Sequence, residues 1–259
     1  MTNNFAENGV EYSQGIVPKH LLWGLLEEII DLTGHKFVGH AAQNELFKLT
    51  EIALLEFLQK VPTEEYLCLM RAIKSSVWIK QISVCNSVVE KSKELLNTDQ
   101  ISQRGNPVLH VTGNSFQLSD KSLAAPWHQD WPALRTSKKT LVVWVPFGGA
   151  ETQGALSFKV GSHRQGLFKT KEVGAVYEID PDELGKFETV QKGMEAGDTV
   201  FFDSLTAHSS QSTDKLRMAL SFRFEDLSCP EWKNRNFSSS HRDGIEKCEL
   251  TDAENKIFE

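Results

Sequence analysis

The chain has 259 residues and a mass of 29.2 kDa, a size at which mainly β folds often form one unit. Hydrophobic residues make up 40% and charged residues 24%, a balance that permits a buried core. A net charge of -7 and a pI near 5.7 argue against nucleic acid as a partner, because an acidic surface repels phosphate, and favour a small molecule.

Residues 1–17 are polar and acidic and are read as a flexible leader, with no basic or apolar segment of a targeting signal. No apolar run reaches the roughly 18 residues of a membrane span, so no membrane partner is expected and the cytoplasm is the expected location. Pro18 opens a helical pattern in which Leu21, Leu22, Leu25, Leu26, Ile29 and Ile30 recur at helical spacing. Asn44–Lys60 repeats the pattern with Leu46, Leu49, Ile52, Leu55 and Leu58. A third helix is expected from Pro62 to about Trp78, with Tyr66, Leu69, Met70 and Ile73 inward, and a fourth over residues 80–97. The stretch 18–97 thus reads as a helical scaffold without chemistry of its own.

After Asn97 the texture changes to short β-branched or aromatic runs bounded by Gly, Pro, Asp and Ser: Val108–Gln117, Leu141–Pro146, Ala155–Lys159, Thr199–Phe202 and Met218–Phe224. Strands at this spacing suggest a barrel or double-sheet jelly roll over 98–227. Gly161-Ser162-His163 and Gly197-Asp198 read as turns, and 228–259 as a lid or tail. The four cysteines, Cys68, Cys85, Cys229 and Cys248, form no CxxC pair and read as reduced, mostly buried thiols.

Pro126-Trp127-His128-Gln129-Asp130-Trp131 carries the chemistry. On a strand, His128 and Asp130 project from one face, while Gln129 and Trp131 face away. Trp131 either lines the cavity mouth, where it would meet substrate, or packs in the core. A third ligand, His208, at the end of the run Asp198–Ala207, completes a two-His, one-carboxylate set suited to iron(II) with positions left open. Nine residues on, Arg217, Ala219, Ser221 and Arg223 share one strand face, with Met218, Leu220, Phe222 and Phe224 on the other, packed against a second sheet. A guanidinium in a cavity asks for an anion, and 2-oxoglutarate fits, its keto acid on the metal and its far carboxylate on Arg217. Arg223 either holds a carboxylate in the cavity or pairs with Glu225 or Asp226. His110, on the strand before the metal motif, is a candidate contact to substrate or cosubstrate. His163 reads as a structural hydrogen-bonder.

The ordered set His128-x-Asp130, Gly161-Ser162-His163, Gly197-Asp198, His208-Ser209-Ser210 and Arg217–Arg223 resembles the phytanoyl-CoA dioxygenase family over about residues 106–226. The resemblance implies a mainly β fold with N-terminal helices and a double-stranded β-helix (jelly-roll, cupin-like) core, with iron(II), 2-oxoglutarate and dioxygen as cofactors. It places the metal on His128, Asp130 and His208, the distal carboxylate of the cosubstrate on Arg217 with help from Ser210, and Trp144 at the cosubstrate wall. One departure is Val160, which stands where the family has a Pro before Gly-Ser-His.

The implied reaction is hydroxylation of a small polar metabolite, with 2-oxoglutarate giving succinate and carbon dioxide. Halogenating relatives lack the carboxylate ligand, and Asp130 is present. Two alternatives are a non-catalytic jelly-roll binding protein and a nucleic-acid demethylase of the same superfamily. The Arg217/Arg223 spacing favours the demethylase, but the short gap from His208 to Arg217 and the acidic charge oppose it. Specificity is expected to lie in 115–125, 165–192 and the region after Ser228. The sequence carries no signal for an oligomeric state.

Overall fold

A computed structural model describes residues 4–36, 43–113, 125–134, 137–151, 155–173, 176–211, 214 and 216–231. In chain order the elements are α1 (Phe5–Asn8), β1 (Val10–Ser13), α2 (Lys19–Leu32), α3 (Gln43–Lys60), α4 (Thr63–Lys74), α5 (Val77–Ser83), α6 (Asn86–Leu96), β2 (Ile101–Thr112), α7 (Trp131–Leu134), β3 (Thr140–Gly148), β4 (Ser157–Lys159), β5 (Thr170–Val173), β6 (Val176–Ile179), β7 (Thr189–Gln191), β8 (Thr199–Asp203), β9 (His208–Ser209) and β10 (Arg217–Asp226). Short 3-10 turns at Ser162–Gln165 and Pro181–Leu184 lie between strands.

Two antiparallel sheets form the jelly-roll core, one of five strands in the order β1-β8-β3-β10-β2 and one of three in the order β7-β4-β9; neither closes into a barrel. All nine residues of β3 are buried, as expected of a central strand covered on both faces. Alternation then sorts the side chains. Leu141, Val143, Val145 and Phe147 of β3, with Met218, Leu220, Phe222 and Phe224 of β10, meet the apolar faces of α2–α6 in the larger core. Val142, Trp144, Val200, Phe202 and Ala219 turn the other way, toward Phe158 of the smaller sheet. The outer face of β10 therefore packs on helices, not on a second sheet as the alternation alone suggested. Periodicity reports which face is apolar and is blind to what covers it.

The helical scaffold follows its pattern with three differences. On α2 all six predicted inward residues are buried. On α3 the buried face is Leu46, Thr50, Ala53 and Leu54, while Leu49 and Ile52 are exposed. Thr50 goes inward because its hydroxyl donates back to the Leu46 carbonyl at 2.9 Å, which satisfies it without water. The third and fourth helices are broken by caps: Ser76 starts α5 by accepting from the Trp78 N–H at 3.1 Å, and α6 starts only after Cys85.

Within the stretch expected as a leader, residues 10–13 are instead built into the sheet. Val10–Ser13 pairs with β8 in register Val10↔Phe202 to Ser13↔Thr199. Composition missed this because an edge strand is held by backbone hydrogen bonds, which do not depend on side-chain polarity. Gly9, in the left-handed region at φ 70°, turns the chain from α1 into β1. The stretch 165–192, where specificity is expected to lie, holds the paired strands β5 and β6 and also β7. Of the cysteines described, only Cys229 is buried; Cys85 is half-buried and Cys68 exposed. Cys248, the segment 115–124 and residues 232–259 lie outside the described residues.

Candidate metal centre

The motif around His128 is not a regular strand. His128 makes isolated antiparallel bridges to His208 and to Glu178, and its N–H and C=O exchange hydrogen bonds with those of His208, both at 2.9 Å. Directly opposed residues of such a pair present their side chains on the same face. The two imidazoles accordingly lie 4.2 Å apart between ring centroids. Asp130 reaches the same point from a turn, not by strand alternation, its carbonyl accepting the Ala133 and Leu134 N–H groups at the start of α7.

Each ring is oriented by one backbone carbonyl. Nδ1 of His128 bonds Pro126 O at 2.8 Å, and Nδ1 of His208 bonds Thr206 O at 3.0 Å. A proton on Nδ1 leaves the Nε2 lone pair of each ring for a cation. Asp130 Oδ1 lies 3.6 Å from His128 Nε2 and 3.7 Å from His208 Nε2. These separations exceed a hydrogen bond, and they suit donor atoms that share one ion with bonds of about 2 Å. Charge favours the same state. Burial and the neighbouring His128 push the His208 imidazole down to about 3, which keeps it neutral. Burial alone would raise the Asp130 carboxyl, but the charge and hydrogen bonds of Arg223 outweigh it and hold it well below the usual carboxylate range. Two imidazoles and a carboxylate on one face are the donor set of a mononuclear iron site.

Gln129, facing away from the ligands as expected, is a clamp. Its Nε2 donates to Gly166 O at 2.8 Å and Leu205 O at 2.6 Å, and its Oε1 accepts from Phe168 N at 3.1 Å. His208 is also held from behind: Ser162 Oγ accepts the Ala207 N–H at 2.9 Å, and Gly9 O accepts from Asp203 N and Thr206 Oγ at 3.0 and 2.8 Å. The Gly-Ser-His turn is thus a staple, in which His163 Nε2 bonds Ala6 O at 3.1 Å and Gly161 N donates to Asn8 O at 2.8 Å. Val160 in place of Pro leaves this turn formed.

A cavity of about 140 Å³ opens on the triad and brings together His110, Trp144, Ser210, Arg217 and Arg223 as well. Arg217 is buried, its Nε donating to Thr112 Oγ1 at 3.0 Å and its Nη1 to Gln211 O at 3.4 Å, and burial lowers its pKa. Ser210 Oγ accepts the Ala125 N–H at 2.9 Å and keeps its own proton to donate. Trp144 is both wall and core, since it lines the cavity and packs with Val142 and Phe202. His110 bonds Ser221 Oγ at 2.9 Å; burial, then Arg223 and Arg217, push its pKa down to about 4, so it is neutral.

Two residues for which the sequence left alternatives open are placed by the structure. Trp131 is buried as the first residue of α7 and does not line the cavity, because the chain turns helical at that point and carries the indole away. Arg223 pairs with neither Glu225 nor Asp226. It grips Asp130 Oδ2 through Nη2 at 2.7 Å and Nε at 3.3 Å, so its fork is turned to the protein and not to a cosubstrate. Its two sequence neighbours have other partners: Glu225 meets Arg104 at 3.0 Å and Asp226 meets Lys139 at 3.3 Å. Sequence reasoning passed over Thr112, which braces Arg217, and put Ser221 on the cavity face without seeing that it braces Arg223. The alternation of β2 and β10 carried that signal, since Thr112 opposes Arg217 in register.

A jelly roll that gathers two imidazoles and a carboxylate at one cavity defines a mononuclear metal enzyme. The chain belongs to the phytanoyl-CoA dioxygenase (PhyH) family, which matches it over residues 56–219. It is an enzyme of the iron- and 2-oxoglutarate-dependent class, with iron, 2-oxoglutarate and dioxygen as cofactors and a small molecule as substrate. No curated protein matches the chain. Among solved structures it is similar to the epimerase SnoN in complex with Fe3+, alpha ketoglutarate and nogalamycin RO, with 18% identity over 87% of this chain and 82% of that one and a TM-score of 0.57. It is also similar to the non-heme monooxygenase ThoJ (14% identity, 87% and 76% covered, TM-score 0.57). EvdO2 from Micromonospora carbonacea var. aurantiaca, complexed with 2-oxoglutarate, is a third such structure (16%, 86% and 88%, 0.52). At these identities the likeness is one of fold. Among the described residues no helix is long and apolar enough to cross a membrane.

Proposed function

We propose that the protein hydroxylates a small polar metabolite, with His128, Asp130 and His208 holding iron(II) and Arg217 holding the distal carboxylate of 2-oxoglutarate. The observation that carries this reading is the convergence of the three donor atoms and the Arg217 guanidinium on one cavity. Bound there, iron and 2-oxoglutarate supply the oxidation that couples loss of carbon dioxide from the keto acid to insertion of oxygen into a C–H bond.

The chain's own groups bind and orient. The carbonyls of Pro126 and Thr206 fix the imidazoles with Nε2 toward the ion, and Asp130 offers one charged oxygen. Thr112 aims Arg217, and Ser210 has a proton to give to the same carboxylate. Thr112, Ser221 and His110 bring hydroxyl and imidazole groups to a wall otherwise made by Val142, Trp144, Leu156 and Phe202, so the cavity suits a compact substrate with a few oxygen or nitrogen functions. Asp130 fills the place that a halogenating enzyme leaves open, which favours hydroxylation.

Anaerobic addition of iron(II) and 2-oxoglutarate is expected to produce a weak visible charge-transfer band, and oxygen-dependent succinate formation should follow across a metabolite panel. With the responding metabolite, the product should gain one oxygen atom from labelled dioxygen. Arg217→Ala should raise the KM for 2-oxoglutarate about 10- to 150-fold, the loss of one charge-assisted bidentate contact, with iron affinity unchanged. No band in the wild-type protein, or a product without the label, would overturn the reading.

A further inference from the structure

The fold treats the two oxygens of Asp130 differently. Oδ1 faces the imidazole Nε2 atoms, and Oδ2 receives two N–H groups of Arg223. The third arm of that guanidinium, Nη1, donates to Ser221 Oγ at 3.1 Å, and Ser221 is held in turn by His110 Nε2 at 2.9 Å. Arg223 and Asp130 are each 12% exposed, so the pair is poorly screened by water. A guanidinium carries only donors, in a planar fork with few ways to re-aim once braced. Arg223 also lies beyond the residues matched to the family, so its role rests on geometry alone.

We propose that Arg223 is a positioning residue that keeps Asp130 a one-oxygen ligand and so preserves an open coordination position on the iron. The inference rests on the metal reading above and goes beyond it. An octahedral ion offers six positions. With such an ion bound, two imidazoles and a single carboxylate oxygen would occupy three, and the keto acid of 2-oxoglutarate would take two, which would leave one for dioxygen. A carboxylate free to swing would chelate through both oxygens and close that position. Arg223 prevents the swing by occupying Oδ2, and Ser221 and His110 prevent Arg223 from following. The Cα atoms of Arg217 and Arg223 lie roughly 20 Å apart along the strand, so the two arginines divide the work: one seats the cosubstrate and the other sets the ligand.

Cobalt(II), which reports coordination number in its visible spectrum, tests this on the full-length protein, anaerobically, with and without 2-oxoglutarate. Arg223→Gln is expected to bind cobalt about 10- to 100-fold more weakly, the usual cost of losing a partner of a ligand, and to change the band intensities. Arg223→Lys, which restores a charged donor, should recover part of the affinity. Ser221→Ala should shift the spectrum in the same direction by less. Circular dichroism of the metal-free variants separates these effects from unfolding. A merely structural ion pair would lower the melting temperature and leave the cobalt spectrum of the folded fraction unchanged. Spectra and affinities of Arg223→Gln that match wild type would overturn the proposal; if that variant does not fold, matching spectra for both Arg223→Lys and Ser221→Ala would overturn it. Failure of the wild-type protein to bind cobalt would instead overturn the metal reading, and the proposal with it.

Discussion

A buried carboxyl away from the metal shows how single residues set pH behaviour. Asp203 ends β8, accepts the Leu205 N–H on Oδ1 at 2.8 Å, and is pushed up to about 7 by burial. In an unfolded chain the same group titrates near 4. Between these values the unfolded state has released its proton and the folded state has not. The contribution of Asp203 is therefore fully present below about pH 4 and is lost as pH rises through 7. Asp203→Asn keeps the acceptor for Leu205 and removes the titration. It should raise stability at pH 8 by about 1–4 kcal/mol, the upper figure being three pH units at about 1.4 kcal/mol each, or roughly 2–16 °C in Tm, and flatten the decline between pH 4 and 7. Melting curves across that range check it, and an unchanged slope would count against burial as the cause.

At the scale of elements, the least legible piece is the one that braces the site. The helices of α2 and α4 were readable because Leu21–Ile30 and Tyr66–Ile73 repeat at one period over several turns. The strands around Leu141–Pro146 and Met218–Phe224 were readable because both faces are apolar or sharply divided. Val10–Ser13 has no such signature: four residues, one of them buried, paired through the backbone. Yet Ala6, Asn8 and Gly9 in the turn before it bond the segments that carry His163, Gly161 and Thr206. Removing residues 1–13 should cost at least about 3 kcal/mol at about 1 kcal/mol per hydrogen bond, or roughly 6–12 °C in Tm. Cobalt affinity should fall with it, because the His208 loop loses its anchor, while helical circular dichroism persists. Unchanged cobalt affinity would show that the staple serves stability alone. The reading of Pro126–Trp131 as a strand failed for a related reason. HxD spacing reports that two donors share a side, and both an extended chain and a bridge followed by a helical turn satisfy it.

For the whole molecule, the gathering of His128, Asp130, His208 and Arg217 at one cavity was legible because chemistry-bearing residue types recur in a fixed order across three segments of chain. The grip of Arg223 on Asp130 and the clamp made by Gln129 were not, since each depends on what a loop brings opposite it. The assembled site predicts a stability that depends on its ligands. A ligand that binds only the native state at a hundred times its Kd stabilises by about 2.7 kcal/mol. Saturating cobalt(II) with 2-oxoglutarate under nitrogen should thus raise Tm by roughly 5–11 °C in a chain of this size. Asp130→Ala should abolish the rise, and a rise that survives it would place the ion elsewhere.

One strand, β10, carries Arg217, Ser221 and Arg223 on a single side and the apolar packing residues on the other. Inserting or deleting one residue there would swap the two sets, burying guanidinium groups among the helices and turning phenylalanines toward the cavity. Chemistry and folding are locked to the same register, so that neither can drift without the other. New substrates must then be reached by changing the connections between strands, with this strand kept as the fixed rail.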